Sequence, residues 1–130
     1  MSQTLEQKRA KYALDKVTKF TGDKEKKEKY STLVRRLPAM ILNNGLGQAL
    51  AFLLADDKGE QKEPSWQLYS QLQGWLCDKN HPPQIYSGKL IDSLMSGDRF
   101  QYIRAQQEVL NLLTWMTKFA NAYLPKSGGS

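Results

Sequence analysis

Apolar side chains recur at helical spacing along almost the whole chain, and the strict alternation that marks a strand is nowhere sustained. Thr4-Leu5-Glu6-Gln7 has the form of a capping box, with Thr4 as the cap and Gln7 reaching back to it. From there Leu5, Ala13, Val17 and Phe20 fall on one side of a helix, and Lys8 and Arg9 stand opposite much of that face. Thr21-Gly22 is a natural stop. Residues 23–30 are mostly charged and open or precede a second helix, whose apolar face is Tyr30, Leu33, Val34, Leu37 and Ile41. Pro38 falls inside that face. A proline there removes one hydrogen bond and crowds the preceding turn, at about 3 kcal/mol, so a kink or a change of helix is expected. Asn43-Asn44-Gly45 is a second stop signal. Leu46 to Ala55 is nearly uniformly apolar and reads as a helix buried on every side, the centre of the core.

The polar run from Asp56 to Pro64 is a loop, and Ser65 is placed to cap the next helix. That helix carries Trp66, Tyr69, Leu72 and Leu76 on one face and stops at Asn80-His81-Pro82-Pro83. A short helix follows over Lys89 to Ser96, with Leu90, Ile91, Leu94 and Met95 apolar. Ser96-Gly97-Asp98 breaks it, and Asp98 can cap a long last helix. Tyr102, Ala105, Val109, Leu112, Leu113, Met116, Ala120 and Tyr123 mark the inner face of that helix, which ends before Pro125. The pattern predicts an all-α protein, a single compact bundle of about five to seven helices. It occupies residues 1–125 as one domain, with a flexible tail over 126–130.

A chain of 130 residues is long enough to bury a core without staples. No apolar run reaches the roughly 18 residues needed to span a bilayer. Residues 1–11 are polar and charged, unlike a secretory signal. The single cysteine, Cys77, cannot form an internal disulfide, so a cytoplasmic location is expected. Charge changes the picture more. Residues 1–36 hold eleven basic and five acidic side chains, which accounts for the whole net charge of +6. A basic end on a neutral body suits a polyanion or an acidic partner surface, and it equally suits helix faces that are merely solvated.

Candidate chemistry is sparse. His81 is the only histidine, and with Cys77 it falls short of the three or four ligands a metal site needs. The adjacent Asp56 and Asp57 could hold magnesium, but acids at the start of a charged loop are commonly just solvated. Gly45-Leu46-Gly47 lacks the preceding strand and third glycine of a dinucleotide site. Trp66, Tyr69, Tyr102 and Tyr123 sit at core-facing spacing, which favours packing over base stacking. Trp75 and Trp115 are not settled by the pattern; an exposed Trp115 would suit a partner protein. A hydrolase would have to draw on Asp56, Asp57 and Glu108. No catalytic residue, metal or cofactor is expected, and the protein is not expected to be an enzyme.

The order of motifs then becomes recognisable. Arg36-Leu37-Pro38, Ile41 and Asn44-Gly45-Leu46-Gly47-Gln48-Ala49-Leu50-Ala51-Phe52 resemble the signature of the small subunit of the type III-B CRISPR complex, the Cmr complex. Asp98, Tyr102, Arg104, Glu108, Leu112, Leu113, Trp115, Phe119 and Ala120 resemble that family's closing helix, and Trp66 to Leu76 its aromatic middle helix. The resemblance covers nearly all of residues 5–124. It departs from the family pattern at Gln107 and Val109, and no lysine closely follows Phe52. The resemblance implies an all-helical, non-catalytic subunit, stacked in several copies as a minor filament inside the complex. Its implied partners are the backbone and large subunits, copies of itself, and the guide and target RNA, with no membrane. It implies that the subunit helps hold the guide–target duplex through backbone contacts, cleavage belonging to other subunits.

Contact with RNA through phosphates calls for basic side chains and no base-reading pocket. Lys8, Arg9, Lys16, Arg35 and Arg36 are the candidate RNA contacts, the last two flanking the break expected at Pro38. The alternative is a small helical interaction module whose basic N-terminal region meets an acidic protein.

Overall fold

The computed structural model describes residues 3–125. Six helices follow one another: α1 (Leu5–Thr18), α2 (Lys24–Asn44), α3 (Leu46–Asp57), α4 (Pro64–Cys77), α5 (Leu90–Ser96) and α6 (Arg99–Tyr123). Among the described residues there is no strand, so the chain is all-α, as the periodicity requires. The tail expected over 126–130 lies outside the described residues.

Three helices start on side-chain caps, two of them, Thr4 and Asp98, marked in the sequence and the third, Asp23, shown by the structure. Thr4 Oγ1 accepts from the Gln7 amide at 3.0 Å and Gln7 Oε1 accepts from the Thr4 amide at 2.8 Å, a complete capping box on α1. Asp23 accepts from the Lys26 amide at 2.9 Å to open α2. Asp98 and Gln101 form a second box on α6. α4 starts differently from the expectation. Pro64 occupies its first turn, where a missing amide hydrogen costs nothing, and Ser65 is buried inside that turn instead of capping it.

α6 packs along α1 and α2; α2 also meets α3 and α4, and α5 leans on α3 and α4. The core lies where these helices converge, on Leu37 and Ile41 of α2, Leu50 of α3, Leu72 and Trp75 of α4, and Leu112 and Met116 of α6. Phe20 stacks on Tyr30 at 4.2 Å between ring centroids, closing the turn between α1 and α2.

α2 runs unbroken through Pro38. The lost hydrogen bond is outweighed because Leu33, Val34, Leu37 and Ile41, on both sides of the proline, are all buried on one continuous face. The break comes at Gly45 instead, whose φ of +90° ends α2 and begins α3. The free amides at the head of α3 are taken by α6: Leu46 N donates to Gln106 Oε1 at 3.0 Å and Gly47 N to the Tyr102 hydroxyl at 2.9 Å. α3 is not buried all round. Leu46, Ala49, Leu50 and Leu53 face inward, whereas Gln48, Ala51, Phe52 and Ala55 are exposed. Leu5, Met95 and Tyr123 also lie outside the core, Tyr123 at 62 % exposure, because helix ends overrun the neighbours that would cover them.

Candidate functional site

The five basic candidates do not form one surface. Arg9 is only 6 % exposed. Its Nε and Nη2 donate to the two oxygens of Glu108 at 2.7 and 2.9 Å, a bidentate pair, and its Nη1 donates to Glu6 at 3.1 Å. Trp75 Nε1 donates to the same Glu108 carboxylate at 2.9 Å, and Trp115 Nε1 donates to Glu6. One chain of charge-assisted bonds therefore joins α1, α4 and α6. The hydrogen bond to Glu108 raises the Arg9 pKa above its usual value; burial acts against it, and the charges of Glu108 and Glu6 reinforce it. Arg9 lies on the inner side of α1 because it precedes Ala13 and Val17 by one and two turns. The expectation that it stands opposite the apolar face is corrected: its donors point at carboxylates inside the protein.

The other four keep cationic surface, on different faces. Lys8 and Lys16 are half-buried on α1, two turns apart, and Lys16 Nζ sits 5.2 Å from the centre of the Tyr12 ring. Arg35 is half-buried and donates to Ser31 Oγ, while Arg36 is exposed. Because α2 is continuous at Pro38, these two arginines point about 100° apart around one helix and do not flank a break. Among the described residues, Lys8, Lys16, Arg35 and Arg36 form no ion pair. Neighbouring cations are differently placed: Lys19 pairs with Asp15 at 2.6 Å, and Lys29 with Asp56 at 3.1 Å and Glu63 at 3.7 Å. Arg36 borders a groove of about 340 Å³ that also carries Glu28, Lys29 and Phe52.

The residues weighed for chemistry have structural surroundings. Asp57 is buried and accepts from the amides of Gln61 at 2.6 Å, and of Lys62 and Glu63 at 3.0 Å each. Burial pushes its pKa up, and the amides of Glu63, Gln61, Lys62 and Glu60 pull it further down, below the usual carboxylate value. It is the organiser of the α3–α4 loop rather than a solvated acid. His81 Nδ1 faces the Gly74 carbonyl at 2.8 Å, which fixes the proton on that nitrogen. Burial pushes the Cys77 thiol up to about 11, so it stays protonated and unreactive at neutral pH. Glu108 is committed to Arg9 and Trp75.

The sequence did carry a signal for the buried network. Arg9 precedes Ala13 and Val17 in the α1 stripe, and Glu108 sits between Ala105 and Leu112 in the α6 stripe. A base in one apolar stripe and an acid in another are compatible with a buried pair, but the spacing does not say that the two meet.

Fold and charge together define a small all-α protein that divides its arginines between an internal bridge and its outer faces. Residues 5–123 match the family described as CRISPR-associated protein (Cas_Cmr5), and the chain belongs to that family. The fold is similar to the crystal structure of a CRISPR-associated Cmr5 family protein from Thermus thermophilus. That similarity has a TM-score of 0.71 at 26 % identity and covers 95 % of this chain and 100 % of that one. No described helix is long and apolar enough to cross a membrane.

Proposed function

We propose that this protein is a non-catalytic small subunit of a type III-B CRISPR RNA-guided complex, the Cmr complex. In that role it stacks with copies of itself as a minor filament, beside the backbone and large subunits, and supports the guide–target RNA through phosphate contacts. The family match over residues 5–123 carries this reading. Lys8, Lys16, Arg35 and Arg36 are the proposed RNA contacts, since their charges are not consumed by carboxylates within the described residues. Arg9 is left out because Glu108 and Glu6 occupy its donors. Dispersed cations suit a rod of phosphates, where each contact adds affinity without reading a base. Repetition along a filament multiplies weak contacts into avidity.

The test is charge reversal of Arg35 and Arg36 to glutamate in the reconstituted complex. RNA affinity at physiological salt is expected to fall, and the slope of log affinity against log salt to flatten by about one per lost phosphate contact. Circular dichroism of the variant should match the parent. Unchanged affinity would show that these arginines do not touch RNA. Failure of the chain to co-purify with the other subunits and guide RNA would remove the subunit role itself.

A further inference from the structure

Between α1 and the segment that follows α4 lies an open cleft of about 680 Å³. Its walls are largely apolar, with Leu14, Trp75 and Pro82 contributing. Leu14 is 38 % exposed, an aliphatic side chain left uncovered beside a concave surface. His81 packs on Tyr12 and Trp75, with ring centroids 4.9 and 5.3 Å away, and its bond to the Gly74 carbonyl holds the ring in place. The cleft is therefore built on fixed groups. Lys8 and Lys11 stand along it, and among the described residues neither forms an ion pair. The carboxylate that also borders it, Asp15, is held by Lys19 at 2.6 Å. The opening is thus apolar inside and positive outside.

We propose that this cleft docks an acidic segment of a partner protein, which places one apolar side chain against Leu14 and Pro82 and its carboxylates against Lys8 and Lys11. The inference goes beyond the RNA-support role and does not depend on it. A nucleobase would need an open aromatic face, yet the Tyr12 and Trp75 rings are only 8 % and 1 % exposed. A phosphate backbone would need cations and would gain nothing from an apolar recess. A second copy is disfavoured by charge, since this chain carries +6 and the acids of its one acid-rich stretch, residues 56–63, are engaged within the chain: Asp56 and Glu63 with Lys29, Glu60 with Lys62, and Asp57 with backbone amides.

The test pans a phage-displayed library of random dodecapeptides against the full chain. A fluorescein-labelled synthetic copy of the enriched peptide is then measured by fluorescence anisotropy. Enriched sequences should carry an aliphatic or aromatic residue flanked by Asp or Glu. Leu14→Asp and Lys11→Glu should each weaken the peptide about tenfold or more, while Arg36→Glu leaves it within about twofold. Both positions are exposed, so thermal melts should match the parent; Leu14→Gln replaces Leu14→Asp if the latter does not fold. No enrichment, enriched peptides without acids, or an affinity indifferent to both variants would overturn the proposal. Since Lys8 is also a proposed RNA contact, competition alone does not decide; oligouridine binding weakened by Leu14→Gln as much as the peptide is would give the cleft to RNA, and loss of self-association in Leu14→Asp would give it to a second copy. Either result would also overturn it.

Discussion

Arg9 and Arg36 come from the same basic quarter of the chain, yet they live in opposite environments. Arg9 is buried, bidentate to Glu108 and linked through it to Trp75. Arg36 is exposed on α2 with no ion pair among the described residues. The difference teaches that segment charge counts do not measure surface charge. A guanidinium taken out of water is tolerated only when carboxylates satisfy its fork, and it then specifies how helices meet. A solvated guanidinium specifies nothing about the fold and remains available to a partner.

The contrast breaks most visibly if the buried side is cut. Arg9→Ala should destabilise the protein by about 3–5 kcal/mol, because it strands the Glu108 carboxylate among α1, α4 and α6. Denaturant titration followed by circular dichroism reads this directly. A loss under about 1 kcal/mol would mean that the bridge is an ornament of the fold, as exposed pairs are.

Asp57 extends the comparison to acids. Asp57→Asn should cost about 2 kcal/mol, since one oxygen that accepts from Gln61 becomes a donor. The sign with pH follows from its depressed pKa. The folded state holds the carboxylate more strongly than the unfolded chain does. Its contribution is therefore full above the unfolded value of about 4 and is lost as pH falls through the folded value. The Tm gap between parent and variant should narrow between pH 7 and pH 3, and a constant gap would refute the assignment.

Arg9→Lys sharpens the point about geometry. It keeps the charge and removes the fork, so a loss of about 1–2 kcal/mol is expected, less than for alanine. Arg36→Glu should have the smallest effect on stability, within about 0.5 kcal/mol, since no internal partner is lost. Its cost should appear in RNA binding by the complex. A large drop in Tm would erase the distinction between the two arginines.

Much of the architecture was legible in the residues. Thr4 and Asp98 announce helix starts because their short side chains can reach free amides, whereas the Asp23 cap was not read from the sequence. Gly45 announces a stop because its positive φ suits glycine. Harder to read were Pro38, where burial on both sides of the ring overrides a local breaker, and Ser65, where Pro64 already starts the helix. Tyr123 kept the right period, but helical spacing says which way a residue points and not whether a neighbour reaches that far. Arg9 and Arg36 read alike in the sequence, and only the partner that α6 brings to Arg9 separates them.

The sequence by itself determined the helical class, most helix boundaries apart from the start of α2 and the continuity at Pro38, and a family resemblance that the comparison of residues 5–123 establishes. These depend on local spacing and side-chain chemistry, which the chain states in order. Only the tertiary structure decided which charges are spent inside and which remain outside. Pairing Arg9 with Glu108, 99 positions along the chain, depends on how three helices pack. The same packing left Leu14 uncovered above a cleft while it buried Trp75 below.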